Sequence, residues 1–178
     1  MSTLITTIII GISLSMDAFS LSLVYGTLNF SKKRMLLLSL IVGLYHFFMP
    51  LFGAFFGNLI TKYLVIDLDF VVFLIFLVIG IEMIISSIKE NKDVSYIGIL
   101  GFFMFGFSVS IDSFTTGIGL NAINNNYLEV SIIFAIISTM FTYLGLKLGK
   151  FLSDKAGKRS TIIGGFILIL LAIYYLVK

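Results

Sequence analysis

Six apolar runs follow one another with only short polar breaks between them, roughly at 3–25, 35–61, 68–88, 96–122, 128–149 and 160–177. A helix rising about 1.5 Å per residue needs about 20 apolar residues to cross a bilayer, and each run is near that length. The runs are continuous, without the every-second-residue alternation of barrel strands, so helices are expected. Composition agrees: 59% of the 178 residues are hydrophobic and 12% charged, against about 25% charged in soluble domains. The expected fold is an all-α integral membrane protein of six transmembrane helices forming a single domain over 1–178. No loop is long enough for a second domain. The first run lacks a basic leader and contains Asp17, so it reads as a retained span and not as a signal peptide.

The basic residues are unevenly placed. Ten lie at the ends of the first, third and fifth runs or in the loops after them: Lys32, Lys33, Arg34, Lys89, Lys92, Lys147, Lys150, Lys155, Lys158 and Arg159. Only Lys62 and Lys178 lie on the other side. This bias puts both termini outside the cytoplasm. It also accounts for the net charge of +3 without nucleic-acid binding, because the charges flank spans and form no basic domain. The Lys32-Lys33-Arg34 cluster reads first as a topology signal, with a lipid head-group contact as the lesser alternative. Absence of cysteine removes disulfides and thiolate metal ligands.

Within the first run stands Gly11-Ile12-Ser13-Leu14-Ser15-Met16-Asp17-Ala18-Phe19-Ser20, and within the fourth stands Gly106-Phe107-Ser108-Val109-Ser110-Ile111-Asp112-Ser113-Phe114-Thr115. Gly, Ser, Ser, Asp and Phe recur at an offset of 95, while Gly53 and Gly57 recur as Gly145 and Gly149 at an offset of 92. The longer loop after the first run absorbs the difference. The chain thus reads as two copies of a three-helix unit, about 1–90 and about 95–178. Because three is odd, the second copy enters the membrane upside down, the inverted-repeat plan of many secondary transporters.

Asp17 and Asp112 each fall some 20 Å into their spans, near the bilayer midplane. An ionisable group there is costly and is read as functional. Helical spacing puts Ser13 and Ser20 on the face of Asp17, and Ser108, Thr115 and Thr116 on the face of Asp112. Two carboxylates among hydroxyls make an oxygen-rich cage suited to a hard or borderline divalent cation such as Mn²⁺ or Mg²⁺. Hydrogen-bonding glue between helices is the packing alternative, although Asn or Ser would serve it at less cost. His46 and Glu82 also lie near midplane, each a candidate third ligand or proton carrier or, equally, a buried polar pair. The glycines at 53/57 and 145/149 have the spacing of close helix contacts, with a hinge as the second reading.

These residues resemble the MntP-type bacterial manganese exporters, small six-span proteins related to LysE-like transporters. The resemblance rests on Ser15-Met16-Asp17-Ala18-Phe19-Ser20, Met49-Pro50-Leu51-Phe52-Gly53, Ser110-Ile111-Asp112-Ser113-Phe114 and Ile163-Gly164-Gly165. It implies efflux of Mn²⁺ across the bacterial plasma membrane, with Asp17 and Asp112 matching the family's intramembrane aspartates. His46 and Glu82 depart from the residues that many relatives carry. The expected activity is export of a divalent cation by alternating access, with Mn²⁺ as cargo, protons as the coupling ion and no resident cofactor. No glycine-rich phosphate loop accompanies the spans, so a gradient is the expected driving force in place of ATP. A homodimer is compatible with so small a chain. Three rivals are an exporter of another solute such as a basic amino acid, a two-aspartate intramembrane enzyme, and a scaffold that transports nothing.

Overall fold

A computed structural model describes residues 2–63, 73–74, 77–78, 80–81, 84–85, 98–119, 126–156 and 158–177. All secondary structure among the described residues is helical. Five helices follow in order: α1 (Ser2–Gly26), α2 (Lys32–Tyr63), α3 (Ile99–Gly119), α4 (Tyr127–Ala156) and α5 (Lys158–Val177). They match the first, second, fourth, fifth and sixth apolar runs. Within α1 to α4, four stretches are long and apolar enough to cross a membrane: Leu4–Gly26, Lys32–Phe55, Ile99–Ile118 and Tyr127–Asp154. In α5 the apolar stretch among the described side chains is Ile162–Tyr174. Most of the third run, including Glu82, lies outside the described residues.

Local chemistry sets the helix ends. After Gly26 the chain turns through Thr27–Phe30, where the Thr27 hydroxyl donates to the Val24 carbonyl at 2.7 Å. Asn29 adopts φ of 58°, a left-handed conformation that asparagine tolerates better than most residues. Ser31 then stands at the N-cap position of α2, a place serine favours. At the start of α4, Asn126 donates through Nδ2 to Glu129 at 3.1 Å, tying the cap residue to the first turn. Pro50 sits inside α2 without ending it.

The packing of these helices crosses the two sequence copies. Helix α1 packs chiefly on α4, α3 packs chiefly on α2, and α2 and α4 meet in the middle. Contacts between α1 and α4 advance together along both chains. Gly11 lies against Phe134 and Ile137, Gly145 against Phe19 and Ser22, and Gly149 against Leu23 and Gly26. The two helices therefore run parallel. The same holds for α2 and α3, where Gly106 lies against Ile41 and Tyr45, and Gly117 against Pro50.

One pair of contacts is repeated. Space for a side chain at Gly145 is taken by the Phe19 carbonyl at 2.6 Å, Ser22 Cβ at 2.9 Å and Leu23 N at 3.2 Å. At Gly53 it is taken by the Phe114 carbonyl, Gly117 Cα at 3.0 Å and Ile118 N at 3.1 Å. Phe19, Ser22 and Leu23 stand 95 residues before Phe114, Gly117 and Ile118. Gly43 of α2 meets the Ala135 carbonyl and Thr139 of α4, where the two central helices touch. For Gly53, Gly145 and Gly149 close packing is thus the observed role; the side-chain position at 57 lies outside the described residues.

The main core gathers at the end of α1 and the starts of α2 and α3, with Tyr25, Phe30, Leu38, Val42, Phe102 and Phe105 buried. Leu146 of α4 and Leu168 and Ala172 of α5 complete it. Phe73 and Leu77 pack against this cluster, and Gly80 lies against Gly165 of α5. The outer faces carry exposed Ile, Leu and Phe from α1 to α5, the surface expected of helices solvated by lipid.

Gly145→Ala and Gly53→Ala each drive a methyl group into a facing backbone carbonyl. Overpacking of this kind costs about 1–3 kcal/mol, a fall in melting temperature of roughly 2–12 °C. Among the described residues nothing lies within 4 Å of a side chain built at Gly98, so Gly98→Ala leaves the transition of the purified protein in place. Equal melting temperatures for all three variants contradict the tight contacts.

A candidate cation site at the junction of two helices

Asp17 of α1 and Asp112 of α3 come together: their carboxyl groups lie within hydrogen-bonding reach of each other. Both are on the exposed side of their helices. The reason lies in helical geometry. At 3.6 residues per turn, a residue two positions before another points to nearly the opposite face. Phe19 and Phe114 offer their carbonyls to Gly145 and Gly53, so Asp17 and Asp112 face away from those tight seams. They meet where α1 and α3 touch only sparsely.

One end of this junction is closed by aromatic rings. Tyr25 stacks on Phe105 with centroids 4.6 Å apart and planes at 22°. Phe30 packs edge-on to Phe102 at 5.5 Å and lies 5.5 Å from Tyr25. The Phe30 carbonyl accepts from Lys150 Nζ at 3.0 Å, which pins the α1–α2 turn to α4. Asp17 lies about 12 Å along α1 from Tyr25, and Asp112 about 10 Å along α3 from Phe105, at 1.5 Å per residue.

The hydroxyls around the pair are arranged unequally. Ser13 and Ser20 share the exposed side of α1 with Asp17, and Thr115 shares that of α3 with Asp112. Ser13 Oγ donates to the Ile9 carbonyl at 3.0 Å, and Thr116 Oγ1 donates to the carbonyl of Asp112 at 2.9 Å. Ser108 is buried, its hydroxyl donating to the Phe105 carbonyl at 2.9 Å. A hydroxyl whose proton is engaged this way keeps oxygen lone pairs for a cation. Among the described residues no three His, Asp or Glu side chains gather in a metal-binding group. The site is a pair of carboxylates with hydroxyl and carbonyl neighbours.

His46 is on α2, and among the described residues no metal-binding group of three joins it to the two aspartates. It is fully buried, between Gly43, which meets α4, and Pro50, which meets Gly117 of α3. Its Nδ1 lies 3.0 Å from the Val42 carbonyl, while Nε2 has no partner among the described residues. Ser15 was not singled out from its spacing, yet its hydroxyl lies 2.8 Å from that of Ser138 on α4, a hydroxyl–hydroxyl bond between helices. Its recurrence as Ser110 in the second motif was the available signal.

A family model described as "Putative manganese efflux pump" matches residues 29–176. A protein of Bacillus pumilus named "Putative manganese efflux pump MntP" is 36% identical over 168 residues, 93% of this chain and 91% of its own length. Proteins of the same name from Bacillus cereus and Geobacillus thermodenitrificans are each 30% identical. The first aligns over 97% of this chain and 96% of its own length, the second over 90% and 88%. No solved structure matches. The chain belongs to the MntP family of putative manganese efflux pumps.

Proposed function

We propose that this protein exports a divalent cation, Mn²⁺, through a site formed by Asp17 and Asp112. The observation that carries the reading is the meeting of these two carboxyls across the α1–α3 junction. Two carboxylates so close in surroundings of low dielectric repel each other unless positive charge lies between them. A doubly charged ion satisfies both at once. Ser13, Ser20, Thr115 and Thr116 supply further oxygens from the same side, as a hard or borderline cation prefers. The family's name points to manganese as the cargo. An amino-acid cargo would need a cation for its carboxylate, and neither α1 nor α3 carries a Lys or Arg.

Six spans in two inverted repeats are the architecture we infer for this activity. Parallel α2 and α3 support this reading, because a span between them would return the chain to its starting side. The recurrence of the Gly145 contacts at Gly53 supports a twofold relation between the copies. With both parallel pairs built from one helix of each copy, rocking of one pair against the other would open the carboxylates to one face and then the other. The aromatic end around Tyr25 and Phe105 would be the closed end in this conformation. Protons competing with the metal for the same carboxylates would couple export to a proton gradient. His46, buried on α2, is read as a proton carrier in place of a third ligand.

Asp17→Asn or Asp112→Asn removes half the ligand charge. Manganese binding to the purified protein falls by roughly 10- to 100-fold or more, and a manganese-sensitive strain loses protection although the variants reach the membrane. Full protection by either variant removes the proposed site. His46→Gln keeps manganese binding and lowers the dependence of export on the proton gradient, measured in proteoliposomes with an imposed pH step. Loss of binding in that variant would make His46 part of the ligand set.

A further inference from the structure

The side of α2 turned away from the carboxylate pair carries a recess that ion transport leaves unused. Ile41, Leu44, Tyr45, Phe48 and Phe52 of α2, with Phe103 of α3, line an open groove of about 370 Å³. Its walls are almost wholly apolar. Leu44, Phe48, Phe52 and Phe103 each leave about half of their surface exposed. The rings of Phe48 and Phe52 lie nearly parallel, 6.3 Å apart, giving the groove a stiff wall. From Ile41 to Phe52 it runs about 16 Å at 1.5 Å per residue, close to half of the roughly 30 Å hydrocarbon core.

The same face of α2 begins with charge. Lys33, Leu37, Ile41, Leu44, Phe48 and Phe52 follow at spacings of three and four, so they share one stripe. Lys32 and Lys33 are exposed in the first turn, and exposed Leu37 leads from them into the groove. Cationic groups thus stand on the same stripe as the apolar cleft, about 12 Å along the helix from its near end at Ile41.

We infer that this groove binds an acyl chain of an anionic phospholipid whose phosphate pairs with Lys32 and Lys33. The groove accepts any lipid chain; the two ammonium groups supply the preference for net negative charge. A second copy of this chain is a poor occupant. A twofold axis through the groove would bring the lysine pairs of both copies to the same membrane level beside each other, where they repel.

The chain contains no tryptophan, so Phe48→Trp places a single indole in the groove. In reconstituted vesicles its fluorescence is quenched by brominated phosphatidylglycerol and by brominated phosphatidylcholine according to how often each lipid occupies the groove. The expected result is a preference of at least about fivefold for the anionic lipid, from charge attraction at the lysines. Adding Lys32→Gln and Lys33→Gln to the same reporter abolishes the preference. A reporter at the exposed Ile136→Trp on α4 shows none. Equal quenching by both lipids at the groove overturns the inference. So does failure of either lipid to quench, which would show the groove covered by protein.

Discussion

Helices solvated by hydrocarbon gain little by hiding apolar side chains from lipid, so their assembly depends on how closely backbones fit. In this protein that fit is made at glycines. Gly145 receives the Phe19 carbonyl of α1, and Gly53 receives the Phe114 carbonyl of α3. Each seam locks one motif-bearing helix in rotation and height. Because each aspartate lies two residues before the locked phenylalanine, its side chain is directed away from the seam. The position of the candidate site is therefore a consequence of steric contacts on the opposite side of the same helices.

The chemistry of the junction follows from what the two helices bring to it. Each contributes one carboxylate, with hydroxyls one turn to either side, and neither contributes a basic residue within its span. Several of those hydroxyls already donate to carbonyls one turn back, at Ile9, Phe105 and Asp112. Such bonds fix the oxygen while leaving it an acceptor. The stacked rings of Tyr25 and Phe105 belong to the main core, so closure of one end and stability of the bundle share residues. Any movement that opens that end must separate these rings and disturb the Lys150 contact to the Phe30 carbonyl.

Much of this was legible in the chain. Long apolar runs announced helices, and among the described residues the structure has them at the first, second, fourth, fifth and sixth runs, with α2 longer than the hydropathy suggested; most of the third run lies outside the described residues. The doubled motif marked Asp17 and Asp112, and small-residue spacing marked the glycine seams. Other features were not legible, for a common reason. The burial of Ser108 against its own helix depends on which side α2 covers, and the hydroxyl bond from Ser15 to Ser138 joins residues more than a hundred positions apart. Helical periodicity states which residues share a face, but not what lies opposite that face. His46 illustrates the gap: depth marked it as a candidate ligand or proton carrier, but only packing shows its neighbours Gly43 and Pro50 meeting α4 and α3.

By itself, the sequence determined the kind of element and the identity of the ionisable groups within it. Apolar length and the cost of unpaired backbone groups in lipid leave helices as the only use for such runs. It also determined that the two acidic stretches are related. Only the tertiary structure decided that α1 pairs with α4 and α3 with α2, each partner drawn from the other copy. Only there do the two carboxyls meet. Those pairings rest on contacts between distant carbonyls and glycines, whose geometry exists only once the helices have packed.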